Sequence, residues 1–322
     1  MDLRILHTTT YRYQGSVDLA QHVVHLSPVD TATQTVQSHA LTISPEPATR
    51  SQAIDAFGNL RTFFSLQTPH DTLTVTADSR VATRVPAPLP DEPAWQAHTW
   101  EAVRDHFHYR ARAPYDPASE FLFASSHVPR DDTFIAFARP AFASGLPMLV
   151  AVQALMERIH HELTYETAST EVNTPALVAL AQGKGVCQDF AHIMTGCLRS
   201  LGLPARYVSG YLLTRPPPGQ PRLIGADASH AWVSVYVPLP PGTGAQAGGR
   251  AATGAWFDFD PTNNRCGWGS PGEDYVALAT GRDFADVSPM RGVIQGGARH
   301  TLEVAVTVAP PDELDALQSP PR

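Results

Sequence analysis

Cysteine is scarce in this chain. Cys187, Cys197 and Cys266 are the only three among 322 residues. So odd and scattered a set excludes a disulfide framework and points to a reducing compartment; the cytoplasm is the expectation. Paired ligand spacings such as Cys-x-x-Cys are also missing. The nearest metal-binding set, Cys187, His192, Cys197 and His230, has no such spacing, so neither a metal nor another cofactor is expected. No apolar run approaches the roughly 20 residues that cross a bilayer, and the first residues hold no apolar core followed by a cleavage site. No membrane partner and no signal peptide are expected. Basic stripes are absent as well. Lys and Arg number 23 against 31 Asp and Glu, and the formal net charge of −8 is scattered, which argues against a nucleic-acid partner. There is no internal repeat. The apolar fraction, 43%, is that of an ordinary globular protein, and the length suffices for two domains.

What is present changes period along the chain. From Leu3 to about Val81 apolar and polar residues alternate in short runs, among them 23–26, 38–43, 60–66 and 72–77. Ser27-Pro28, Pro45-Glu46-Pro47 and the stretch 55–59 punctuate them as turns. The pattern predicts an antiparallel β-sandwich over residues 1–85, an accessory unit with His7 and His25 as polar groups on strand faces. A proline-dense linker follows at 86–95. Helical spacing then takes over, most clearly from Leu146 to Leu163. Strand patterns return at 206–213, 231–237, 254–260 and 301–308, with flexible loops expected at 216–219 and 240–254. The expected plan is α+β: the sandwich, the linker, a mixed core over 96–309 and a disordered tail at 310–322.

Chemistry concentrates in 183–192, Gly-Lys-Gly-Val-Cys-Gln-Asp-Phe-Ala-His. Two glycines lead into Cys187. Phe190, Ile193, Met194, Cys197, Leu198 and Leu201 follow at helical spacing. A cysteine in the first turn of a helix meets unpaired N–H groups and the positive end of the dipole, which favour the nucleophilic thiolate. A free thiol, with an ordinary pKa of about 8.5, is mostly protonated at neutral pH, so a base is needed. Two later stretches supply the missing partners: His230 in Ser229-His230-Ala231-Trp232-Val233, and Asp260 in Trp256-Phe257-Asp258-Phe259-Asp260-Pro261-Thr262. An imidazole takes the thiol proton and a carboxylate orients the ring. Asp258 and Asp260 share a strand face. Asp260, at the strand end before Pro261, is preferred, and Asp258 stays open as a second candidate. Cys197 and Cys266 read as packing or surface thiols, Trp232 and Trp256 as core or cleft wall.

The blocks 185–192, 228–233 and 256–262, in this order and spacing, resemble the transglutaminase-like superfamily, whose core is papain-like. The runs His7-Thr8-Thr9-Thr10-Tyr11-Arg12-Tyr13, Leu26-Ser27-Pro28 and Phe57-Gly58-Asn59 resemble the β-rich N-terminal domain of its bacterial members. The resemblance covers nearly the whole chain. It implies Cys187 as nucleophile, His230 as general base and acid, and Asp260 as the orienting carboxylate. Gln188, Asp189 and His192 follow the bacterial pattern. Asp189 is expected to cap the helix or to hold His192 rather than to take part in chemistry. The oxyanion site takes the Cys187 N–H and a second donor, Gln182 or Tyr165, between which the sequence does not decide. No calcium-site motif of the animal enzymes is visible. The superfamily spans cysteine peptidases, amidases and glutamine–lysine cross-linkers. The expected reaction is attack on an amide or isopeptide carbonyl of a peptide or protein, giving a thioester that water resolves. Transfer to an amine is the alternative, and a catalytically silent binding module is a third reading.

Overall fold

The alternation at the N-terminus folds into one long strand, β1 (Asp2–Val24), with every second side chain from Leu3 to Thr9 buried. The computed structural model describes residues 1–112, 115–167, 169–214, 225, 229–239, 246–247, 250–251, 254–297 and 299–318; the loop expected at 216–219 lies outside them. Around β1 stand β2 (Gln34–Ser44), β3 (Thr49–Ile54), β4 (Leu60–Leu66) and β5 (His70–Thr83), in the order β2-β5-β1-β4-β3. The length of β1 lets it serve two halves of one sheet. Its first half pairs antiparallel with β5 and its second with β4, with an irregularity between Arg12 and Val17. The halves curl around a shared core of Leu3, Ile5, Phe64, Leu66, Val75 and Val81.

The remainder begins with helices α1 (Pro93–Gln96), α2 (Trp100–His106), α3 (Asp132–Ala138) and α4 (Met148–Glu162). A short parallel pair, β6 (Thr164–Tyr165) and β7 (Lys184–Gly185), brackets α5 (Ala176–Gln182). Then comes α6 (Cys187–Ser200), buried almost throughout from Asp189 to Arg199. It lies on β8 (Ala205–Leu212) and β9 (Ser229–Pro238), with α3 and α5 against it. Each of its fully buried side chains Ile193, Met194 and Leu198 contributes about 1.5–3 kcal/mol of transfer free energy. In the stretch 240–254, β10 (Gln246–Ala247) pairs with β11 (Arg250–Ala251); its remaining residues before Gly254 lie outside the description. β12 (Gly254–Asp260), β13 (Arg265–Trp268) and β14 (Tyr275–Gly281) complete an antiparallel sheet of order β13-β12-β9-β8-β14. The α+β class expected from the sequence is what forms. No helix among the described residues is long and apolar enough to cross a membrane.

The expected division of the chain needs correction at three points. Helix α1 starts at Pro93, inside the stretch assigned to the linker; a proline is accommodated in a first turn because its missing N–H has no helical partner there. After α7 (Phe284–Val287), the strands β15 (Met290–Gly296) and β16 (His300–Ala309) leave the core and rejoin the N-terminal sheet. β15 pairs with the second half of β1, and β16 with Arg4 to Tyr13. Alternation marks a strand but not the sheet it joins. The tail is also partly ordered. Asp312 and Glu313 occupy the first turn of α8 (Pro311–Gln318), where they complement the dipole. Leu314 is fully buried, and Asp315 forms ion pairs with Arg4 and Arg80.

Two side-chain amides lock the sheets together by imitating peptide groups. Gln34 accepts from the Ala277 N–H and donates to its carbonyl, both at 2.8 Å; Asn59 does the same with Thr280, again at 2.8 Å. Both targets lie on β14, so the curled sheet holds a fixed position against the edge of the second sheet.

Candidate active site

Three local devices set Cys187 at the start of α6. Gly183 ends α5 in the left-handed region at φ 66°, which glycine adopts without a Cβ penalty. Gly185 has no room for a side chain, since a Cβ there would sit 2.7 Å from Asp189. Asp189 Oδ2 in turn accepts from the Val186 N–H at 2.8 Å and the Thr170 hydroxyl at 2.6 Å. That is one arm of a capping box, the capping role expected of Asp189. His192 does not meet Asp189; its Nε2 accepts from the Phe284 N–H at 3.2 Å. The ring stacks on His127 and packs against Tyr207. Burial, reinforced by His127, pushes it down to about 3, so it stays neutral.

Cys187 is partly buried, its Sγ 4.0 Å from the Ser229 carbonyl. His230, at the start of β9, lines the same cavity as Cys187, and the thiol contributes to raising the ring's pKa. Its Nε2 donates to Asp260 Oδ2 at 2.7 Å, which leaves Nδ1 as the unprotonated nitrogen of the neutral ring. Burial opposes a charge on the ring. The hydrogen bonds and charges of Asp260 and Cys187 outweigh it, and His230 is raised to about 10. Asp260 is fully buried. Burial would raise its carboxyl, but the donors around it hold it below the usual carboxylate range. These are His230, the Tyr275 hydroxyl at 2.6 Å, Asn263 Nδ2 at 2.7 Å and the Thr262 N–H at 2.8 Å. His160 of α4 pins the following turn through the Thr262 carbonyl, 3.0 Å away.

Asp258 is engaged elsewhere. Its Oδ1 accepts from Trp232 Nε1 at 3.0 Å, and burial lifts it to about 6 against the positive charge of Arg206. Trp232 is buried and packs edge-on to Tyr275. Gln188 lines the cavity beside Cys187 and donates to the Val172 carbonyl at 2.8 Å. The two upstream candidates do not line that cavity. Gln182 ends α5 with an exposed side chain, and Tyr165, half exposed, has its ring on Phe190. Burial and the nearby Cys187 raise its phenol. Among the described residues no cluster of three or more His, Cys, Asp or Glu could hold a metal.

The cavity measures about 360 Å³, and its far wall belongs to the N-terminal sheet: His7, Thr9 and Tyr11 of β1 beside Leu302 and Val304 of β16. None of these was singled out for the site by sequence. Tyr275 and Asn263 were missed too. Asn263, three residues after Asp260 in a turn, carried a usable signal, since Asx-type side chains bond nearby backbone and side chains; Tyr275 carried none.

A helix-borne thiol and an imidazole line one cavity, with a buried carboxylate bonded to the imidazole from behind. Residues 135–261 match the transglutaminase-like superfamily, and residues 3–82 match the bacterial transglutaminase-like N-terminal region. An uncharacterized protein of Mycobacterium tuberculosis is 38% identical over 319 residues, 98% of this chain and 95% of that one. Another, of Mycobacterium leprae, is 32% identical over 310 residues, 95% of this chain and 98% of that one. The chain belongs to the transglutaminase-like superfamily. Its fold is shared with a crystal structure from Cytophaga hutchinsonii named as a candidate cysteine protease, with TM-score 0.66, 20% identity, and 95% and 90% of the two chains covered.

Proposed function

We propose that this chain is a Cys-His-Asp thiol enzyme that hydrolyses amide or isopeptide bonds of peptides or proteins. One observation carries the reading: His230 lines the cavity beside Cys187 and is bonded to buried Asp260 at 2.7 Å. The Cys187 thiolate attacks the substrate carbonyl carbon, and the new C–S bond pushes the π electrons onto oxygen. The Cys187 backbone N–H, in the first turn of α6, stabilises that oxyanion. The His230 imidazolium gives its proton to the leaving nitrogen, the C–N bond breaks, and a thioester remains. Neutral His230 then takes a proton from water, hydroxide adds to the thioester, and the C–S bond breaks to release a carboxylic acid and restore the thiolate beside the imidazolium. Asp260 holds the ring's proton on Nε2 and balances the imidazolium charge throughout. All three cysteines are unpaired, which fits work in a reducing compartment such as the cytoplasm.

The test is turnover of a library of peptide amides and isopeptides by the wild type and by Cys187→Ala. Turnover that survives in Cys187→Ala refutes the mechanism. An added primary amine separates the two fates of the thioester: released acid is expected, whereas amide formed with the added amine would make transfer the reaction.

A further inference from the structure

The cavity is shared between the two sheets, and its far wall is the face of β1 and β16. Tyr11 pairs with Leu302 and Thr9 with Val304 across the two strands, so their side chains lie on one face and look across the cavity at Cys187 and His230. Leu302 and Val304 are 53% and 49% exposed. Met290 and Val172 extend the same apolar lining.

No Asp, Glu, Lys or Arg stands among the described residues that line the cavity. The titratable wall residues are neutral at pH 7: burial lowers His7 to about 4 and raises the Tyr11 phenol. His7 spends both ring nitrogens internally, on the Tyr211 hydroxyl at 2.9 Å and the Thr9 hydroxyl at 3.1 Å. A charged substrate side chain on this wall would lose water and meet no Asp, Glu, Lys or Arg among the described lining residues. An apolar one would cover half-exposed Leu302 and Val304. The volume of about 360 Å³ is at the small end for ligand pockets, enough for one large side chain and its adjoining backbone.

We infer that the substrate presents an apolar, uncharged residue next to the reacting carbonyl, seated on Tyr11, Met290, Leu302 and Val304, so that the N-terminal sheet acts as the specificity wall of the site. This rests on the proposed role of Cys187, and the experiment separates the two ideas.

Cys187 alkylation is followed by peptide-level mass spectrometry with four probes: acetyl-Ala-Leu, acetyl-Ala-Asp and acetyl-Ala-Lys chloromethyl ketones, and a long-chain alkyl chloromethyl ketone. Each rate is divided by the same protein's rate with iodoacetamide. The leucine probe should react at least about ten-fold faster than the aspartate and lysine probes. In Leu302→Lys and Val304→Lys, both half-exposed positions that accept a lysine, the leucine-to-aspartate ratio should fall about ten-fold. The inference is overturned if the charged probes match the leucine probe, if the alkyl probe outruns it, or if neither lysine variant moves the ratio. Failure of iodoacetamide to alkylate Cys187 faster in wild type than in His230→Ala removes the activated pair instead, and with it the premise.

Discussion

Replacing Asp260 by Asn tests the site at its most buried point while nearly preserving volume. His230 stands at about 10 against an ordinary 6.5, a preference for the imidazolium of roughly 5 kcal/mol at about 1.4 kcal/mol per pH unit. Burial works against that preference, and the hydrogen bond that His230 donates to Asp260 is the first interaction to overcome it. Loss of a carboxylate at this distance moves a neighbour by roughly one to three pH units. An asparagine oxygen in the Oδ1 position can still accept from the Thr262 N–H, so the turn survives, while an NH2 group replaces the oxygen that accepted from His230 and Tyr275. The ring, however, is no longer obliged to keep its proton on Nε2 and Nδ1 unprotonated. Cys187 should therefore be alkylated by iodoacetamide at pH 6 at least about ten-fold more slowly in Asp260→Asn than in the wild type. Cys197 and Cys266 give internal references in the same digest, because burial raises both thiols. Stability supplies a second readout with a definite sign. A raised His230 contributes stability that is complete below pH 6.5 and is lost as pH rises through about 10. Lowered Asp260 contributes through the same pair above pH 3.8, losing it as pH falls through its depressed folded value. The urea midpoint advantage of wild type over Asp260→Asn should accordingly be widest between about pH 4 and 6.5 and shrink toward pH 10. Equal alkylation rates together with a pH-independent stability difference would refute the argument.

Two further outcomes follow from packing. Gly185→Ala forces a Cβ to within 2.7 Å of Asp189, so overpacking of about 1–3 kcal/mol and loss of the cap bond to Val186 should lower the urea midpoint and slow Cys187 alkylation. A midpoint equal to wild type would show that the Gly185–Asp189 contact is not needed. Truncation after Pro289 removes β15, β16 and α8, and with them buried Val306, Val308 and Leu314, each contributing about 1.5–3 kcal/mol. Together with the lost pairing on β1, this approaches the whole stability of a typical domain, about 5–15 kcal/mol. The fragment should show no cooperative thermal transition; a sharp one would mean that β1 does not depend on the C-terminal strands.

What the sequence disclosed follows from the range of each signal. The Cys187 helix was readable because its glycines, first-turn acid and apolar stripe lie within twenty residues. Between Asp258 and Asp260 the sequence favoured Asp260 only by its place before Pro261 and left Asp258 open, since both point to the same face of β12. The register decides it. Asp258 lies opposite Ser234 and reaches diagonally to Trp232; the same diagonal step from Asp260, two residues on, arrives at His230. A one-residue change in pairing would have put neither carboxylate on the histidine face. The wall of the cavity was further out of reach. Tyr11 and Leu302 are separated by nearly the whole chain, and each carries only the alternation common to all half-buried strands. The alternation at 301–308 suggested one more strand of the core. Yet β16 could bury Val306 and Val308 only by extending β1, and that pairing carries Leu302 and Val304 across from Cys187. The N-terminal sheet thus lines the cavity for the same reason that it is stable: its last strand comes from beyond Cys187, His230 and Asp260, and the chain must pass the cleft to supply it.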